Sequence, residues 1–221
     1  MKTPNQTSTA IIIPAFNEAA TIAAVVREAS CIGQVIVVND GSSDDTEKAA
    51  YAAGATVITL KGNQGYEGAL TSGMQFAITK NFSFALTMDA DGQHRLESAQ
   101  QLLDSIQDSD LVIGIRQKKQ RFTEVIAGWI GAHLWGINDP FSGLKLYRLE
   151  SCKAIGNFDT RRLVGAEMFV RAHRKGLSLK AIPIQTNERT DAPRFDSTLR
   201  ANFRIARAMV LLVAISWAIL P

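Results

Sequence analysis

Apolar residues recur in two rhythms along the first half of the chain. Short continuous runs, Ala10 to Ile13, Val35 to Val38, Thr56 to Leu60, Phe84 to Thr87 and Leu111 to Ile115, have the length of strands buried on both faces. Between them apolar positions return at helical spacing, as Ile22, Val25, Val26 and Ala29, then Leu70, Met74 and Ile78, then Leu96, Ala99, Leu102, Leu103 and Ile106. The alternation predicts βαβ units and hence an α/β fold with a mostly parallel sheet flanked by helices, which binds ligands where the strands end. Pro14 to Glu18, Asn39 to Asp45, Lys61 to Gly65 and Asp89 to His94 each follow a strand. All four segments therefore open on one edge of the sheet.

After Ile115 the pattern loosens. A basic stretch leads to an amphipathic run carrying Trp129 and Trp135, a turn at Asp139-Pro140 and a short strand near Leu144 to Tyr147. A helix follows around Gly165 to Lys175, and then a strand from Leu179 to Ile184 in which Pro183 marks an edge position. Val125, Ile126 and Ile130 with the two tryptophans read either as core or as a stripe facing a membrane. Ala208 to Pro221 is apolar apart from Ser216, yet shorter than the about 20 residues that span a bilayer. It is either a core helix or a segment lying in the membrane surface with Trp217 at the interface. No repeat or linker interrupts the 221 residues. We expect one domain over residues 1–200, with the helix of 201–221 either part of it or membrane-associated.

A net charge of +3 excludes a general polyanion binder, and no nucleic-acid partner is expected. The basic residues nevertheless crowd the second half. Arg116, Lys118, Lys119 and Arg121 form one cluster, and Arg189, Arg194, Arg200, Arg204 and Arg207 form a spaced series suited to phosphates. Cys31 and Cys152 have neither metal-ligand spacing nor the number for a disulfide framework, which implies a reducing compartment. Met1 to Ala10 is polar and unlike a signal peptide, so a cytoplasmic location is expected.

The chemistry concentrates at Leu86-Thr87-Met88-Asp89-Ala90-Asp91-Gly92-Gln93-His94, where two carboxylates stand one residue apart at a strand end. Alternate residues of an extended chain face opposite sides, so both acids reach one cation only if the chain bends, as Gly92 permits. Carboxylate and amide oxygens suit Mg²⁺ or Mn²⁺ better than Zn²⁺. A bare Asp-x-Asp also occurs as a solvated turn. His94 more often packs near such a turn than joins a metal shell. In Val38-Asn39-Asp40-Gly41-Ser42-Ser43-Asp44-Asp45-Thr46, Ser43 or Asp44 can serve as a helix N-cap, whereas Asp40 sits at a strand tip where it can accept hydrogen bonds from a nucleobase. Asn63-Gln64-Gly65 is either a phosphate or sugar loop or a structural turn.

Taken with Ile12-Ile13-Pro14-Ala15-Phe16-Asn17-Glu18 and Asp139-Pro140-Phe141-Ser142-Gly143-Leu144-Lys145-Leu146-Tyr147-Arg148, these motifs resemble the inverting nucleotide-sugar glycosyltransferases. Within that family, Asp-Ala-Asp-Gly-Gln-His and Asp-Pro-Phe-Ser-Gly look like the polyprenyl-phosphate branch, the relatives of dolichol-phosphate mannose synthase. The resemblance covers about Ala10 to Arg200 and implies a Rossmann-like, A-type glycosyltransferase fold. It also implies that Pro14, Ala15, Asn17, Glu18, Asp40, Ser42, Gly65, Asp89, Ala90 and Asp91 hold a UDP- or GDP-linked sugar, with Asp89, Asp91 and Gln93 around Mg²⁺ or Mn²⁺. Arg116, Ser142, Lys145, Arg189 and Arg194 would meet the acceptor, a polyprenyl phosphate. Asp89, Asp91, Arg116 and Glu167 would form the catalytic set, Glu167 either as a general base or paired with Arg171 on the next helical turn. Two departures stand out. Tyr66 and Glu67 occupy positions where many relatives carry Lys, and Lys145 replaces a frequent Arg, which loses the bidentate fork. The implied enzyme works at the cytoplasmic membrane face, with any flippase a separate partner. A soluble or protein hydroxyl acceptor, or a non-catalytic nucleotide-sugar or lipid-binding module, are the alternatives.

Overall fold

A computed structural model of the chain describes residues 3–117, 121–153, 155, 163, 165–187 and 198–217. The first four predicted strands form as β1 (Thr9–Ala15), β2 (Gln34–Asn39), β3 (Thr56–Thr59) and β4 (Phe84–Thr87), joined by α1 (Ile22–Ala29), α2 (Thr46–Ala52) and α3 (Tyr66–Thr79). After α4 (Leu96–Ser105) come β5 (Leu111–Arg116), α5 (Phe122–Trp135), β6 (Lys145–Arg148), α6 (Leu149–Lys153), α7 (Glu167–Arg174), β7 (Leu179–Ile184) and α8 (Thr198–Ser216). The seven strands lie in the order β3-β2-β1-β4-β6-β5-β7.

The continuous apolar runs arise because both faces of the sheet are covered. Along β1, Ile11 and Ile13 pack with Ile22, Val25 and Val26 of α1, while Ala10 and Ile12 pack with Ala69, Met74 and Ala77 of α3. Each isoleucine is fully buried and contributes about 1.5–3 kcal/mol relative to exposure. Gly73 lets α3 approach closely, since a Cβ there would lie 2.5 Å from Ile12 Cγ2. On this same side α5, α7 and α8 extend the core, where Trp135 meets the Phe169 ring edge to face at 5.5 Å.

Four strands run parallel at one end, β3, β2, β1 and β4. The departure from the parallel pattern is β6, which lies antiparallel between β4 and β5. Beyond β5, β7 is a parallel edge strand that carries Pro183, as its sequence implied. At the carboxyl end of the chain, α8 packs on α5 and α7 through Ile205, Ala208, Met209, Leu212 and Ile215. Thr123 donates to Asn202 Oδ1 at 2.8 Å and Trp135 Nε1 to Ser216 Oγ at 3.0 Å, so α5 and α8 lie side by side in the same direction. Among the described residues, no helix is long and apolar enough to cross a membrane.

Candidate active site

The loops that follow β1, β2, β3 and β4 meet in a cleft of about 960 Å³ at the carboxyl ends of the parallel strands. Pro14, Ala15, Phe16 and Glu18 come from the first loop, Asp40 from the second, Asn63, Gly65, Tyr66 and Glu67 from the third, and Asp89, Ala90, Asp91 and Gln93 from the fourth. Arg116, Arg121, Glu124, Phe141 and Gly143 also line it, with Arg204 and Arg207 contributed by α8.

Each loop is braced by its neighbour. Asn17 takes a left-handed φ of 54°, a conformation its short amide tolerates. Its N–H donates to Ser42 Oγ, and its Oδ1 accepts from the Ser43 N–H, both at 2.9 Å. Asn17 and Ser42 are absent from the cleft lining and tie the first two loops together. Asp40 does face the cleft, and it also accepts the Gln64 and Gly65 N–H groups at 2.6 and 2.8 Å, one on each oxygen. One carboxylate thereby shapes the third loop and keeps lone pairs for a ligand.

At the tip of β4 the chain bends at Gly92, whose φ of 74° is easy for glycine. Asp91 Oδ1 accepts the Gln93 N–H at 3.1 Å, closing a local turn. Asp89 is held by His94, which is 4% exposed: the Asp89 N–H donates to His94 Nδ1 at 3.1 Å, and His94 Nε2 lies 3.7 Å from Asp89 Oδ2. His94 therefore acts beneath the turn, through Asp89. Two carboxylates and an amide at an open strand end are hard oxygen donors and fit an octahedral divalent cation that leaves positions for other oxygens. Among the described residues, no three His, Cys, Asp or Glu side chains cluster as a metal cage.

The basic part of the lining is built around Arg116 at the end of β5. Its Nε and Nη2 donate to the two Asp139 oxygens at 2.8 and 2.9 Å, and its backbone N–H donates to Asp139 Oδ2 at 3.1 Å. Glu124 stands 3.7 Å from Arg116 and 3.2 Å from Arg121. Burial pulls the Arg116 pKa down, but the Asp139 hydrogen bonds and charge, with Glu124 and Asp89 beyond, hold it above the ordinary arginine value. The guanidinium is thus fixed, charged, and electrostatically within reach of the Asp89 carboxylate.

Some residues assigned from the sequence lie outside the cleft lining. Ser142 and Lys145 are buried to 0% and 1% exposure, and Lys145 Nζ donates to the Ser142 carbonyl. Glu167 is likewise fully buried and absent from the cleft lining, with its Oε1 accepting from Arg171 Nε and Nη2 at 2.9 and 2.6 Å. This is the i,i+4 pair that the spacing allowed. Arg189 and Arg194 lie outside the described residues. Nothing in the motifs marks Asp139 as the partner of Arg116, or Glu124 beside it. The spacing of Arg204 and Arg207 on one helix was the available sign that they share a surface.

A seven-strand α/β sheet with its cleft at the carboxyl ends of the parallel strands, flanked by helices on both faces, defines the A-type glycosyltransferase fold. The model of glycosyl transferase family 2 matches residues 10–156, and the chain belongs to that family: it is an enzyme that transfers sugars. An uncharacterized protein of Methanocaldococcus jannaschii is 30% identical over 80% of this chain and 80% of its own. The undecaprenyl-phosphate mannosyltransferase of Micrococcus luteus is 28% identical over 80% of this chain and 83% of its own. Glucosyl-3-phosphoglycerate synthase of Mycobacterium tuberculosis, solved with Mn²⁺, UDP and glucosyl-3-phosphoglycerate, superposes with a TM-score of 0.77 over 95% of this chain and 79% of its own, at 22% identity. That last likeness is one of fold.

Proposed function

We propose that the enzyme moves a sugar from a nucleotide diphosphate donor to a polyprenyl phosphate at a membrane surface, with inversion at the anomeric carbon and with Mg²⁺ or Mn²⁺ bound. The observation that carries this reading is the mixed charge of the cleft lining, where Asp40, Asp89, Asp91 and Gln93 share one cleft with Arg116, Arg121, Arg204 and Arg207. The carboxylates and the amide suit the base and the metal-bound diphosphate of a donor, and the arginines suit a second anion, the acceptor phosphate. When bound, the cation would neutralise the charge of the departing diphosphate. A phosphate oxygen of the acceptor attacks the anomeric carbon, the new carbon–oxygen bond forms as the sugar–diphosphate bond breaks, and the nucleoside diphosphate leaves. Such an acceptor is already anionic and needs no protein base. That agrees with Glu167 being engaged by Arg171 away from the cleft.

Relatives named undecaprenyl-phosphate mannosyltransferase and polyprenol monophosphomannose synthase support this acceptor class. Helix α5, which follows Arg121, and α8, which supplies Arg204 and Arg207, expose Phe122, Trp129, Phe203 and Val210, as suits an enzyme working beside lipid. The test is transfer from radiolabelled UDP- and GDP-sugars into organic-extractable polyprenyl phosphate, with Mn²⁺ or Mg²⁺ and with EDTA. Label that enters the lipid phase only with metal is the expected result. Nucleotide release with label left in the aqueous phase would overturn the lipid acceptor and turn attention to a hydroxyl acceptor.

A further inference from the structure

The Gly92–Gln93 turn is held from outside by the chain that leaves β7. Asn187 donates its backbone N–H to the Gln93 carbonyl at 2.9 Å and its side-chain Nδ2 to the Gly92 carbonyl at 3.1 Å. Its Oδ1 in turn accepts from Arg95 Nε at 2.8 Å, and Arg95 Nη1 donates to Gln185 Oε1 at 3.0 Å. Thr186 makes an isolated antiparallel bridge with His94, the residue that holds Asp89 from within. Both carbonyls of the turn are thereby fixed by one residue that is itself anchored, although Asn187 is exposed and packs in no core. A glycine with φ of 74° between two proposed metal donors is the point of the loop with most conformational freedom. An amide that spans its carbonyls removes that freedom.

We infer that Asn187 is a positioning residue for the diphosphate site of the cleft, holding Asp91 and Gln93 at the separation at which both reach one cation. The inference rests on reading Asp89, Asp91 and Gln93 as metal donors. Partners of metal ligands that fix their orientation typically govern affinity by about 10- to 100-fold. An exposed side chain away from the core leaves global stability nearly unchanged, so the effect should separate from folding.

Two readouts test this on the full chain, with the variants Asn187→Ala and Arg95→Ala. The first is amide hydrogen exchange across residues 88–95 without ligand, which reports on the turn whether or not a metal binds. Faster exchange is expected in both variants, with a melting temperature within about 2 °C of the parent. The second is Mn²⁺ binding followed by electron paramagnetic resonance, with UDP and with GDP in turn. About tenfold or more weakening is expected for Asn187→Ala. Unchanged exchange in both variants overturns the clamp, and faster exchange with undiminished Mn²⁺ affinity overturns its role at the site. If the parent chain takes up no Mn²⁺ with either nucleotide, the metal reading itself falls and the positioning role falls with it.

Discussion

At Gly143 the backbone passes so close to Asp89 that an added Cβ would lie 2.4 Å from Oδ2 and 2.5 Å from Oδ1. The glycine is required by this approach, since the carboxylate occupies the volume any side chain would need. Gly143→Ala is therefore expected to push the Asp89 carboxylate aside by about 1 Å and lower kcat by about 100-fold. The obstructing atoms are the far end of a half-exposed side chain, so the thermal midpoint should hardly move. Measuring transfer and melting on the same preparation checks both halves of this expectation. The two thiols offer a second residue-scale test. Burial, reinforced by the charge of Asp110, pushes the Cys152 thiol up to about 12, whereas Cys31 is exposed. A thiol reagent at neutral pH should label one cysteine in the native protein and two after denaturation. Native labelling of Cys152 would contradict its burial.

Among the elements, α5 and α8 have the clearest division of labour. On α5, Phe122, Val125, Ile126 and Trp129 form an exposed stripe at helical spacing, while Ala127 and Trp135 are buried. On α8, Phe203 and Val210 are exposed, with Trp217 in step just beyond its end, and Ala208, Leu212 and Ile215 face the core. The helix thus carries both a core stripe and an outward apolar one. We predict that the double variant Trp129→Ser, Phe203→Ser binds anionic phospholipid vesicles at least about tenfold more weakly, with helix content unchanged. Tyr51→Ser, which removes an equally exposed ring from α2, should leave vesicle binding intact. Flotation with phosphatidylglycerol vesicles makes the comparison.

Much of this architecture can be read from the chain, because buried parallel strands and amphipathic helices carry distinct periods. β1 through β5 lie within a few residues of their apolar runs, and the four loops after the first four strands do share one cleft. Other features leave no local trace. The antiparallel insertion of β6 depends on which strands it pairs with, and a four-residue strand reads the same in either direction. The Arg116–Asp139 fork joins residues 23 positions apart, and periodicity says nothing about such a pairing. For Ser142 and Lys145 the motif was visible while the burial was not, because a lysine whose ammonium is met by a backbone carbonyl can sit where composition alone would not place it.

For the molecule as a whole, the position of β6 has a consequence for how the folded enzyme comes apart. β5 bonds to β6 and β7, and β4 bonds to β1 and β6, so in the sheet the half carrying Asp89 is joined to the half carrying Arg116 through β6. β6 pairs with β5 at three positions and with β4 at four, whereas β1 pairs with β2 at six and with β4 at four, so β6 is held by fewer ladder pairs than β1. The link between the two halves should thus open more readily than the centre of the parallel unit. In native-state hydrogen exchange, the amides of Lys145 to Arg148 are expected to exchange at lower denaturant than those of Ile11 to Ile13. If they do, the first opening of the folded enzyme would part the Asp89 side of the cleft from the Arg116 side before either side had melted.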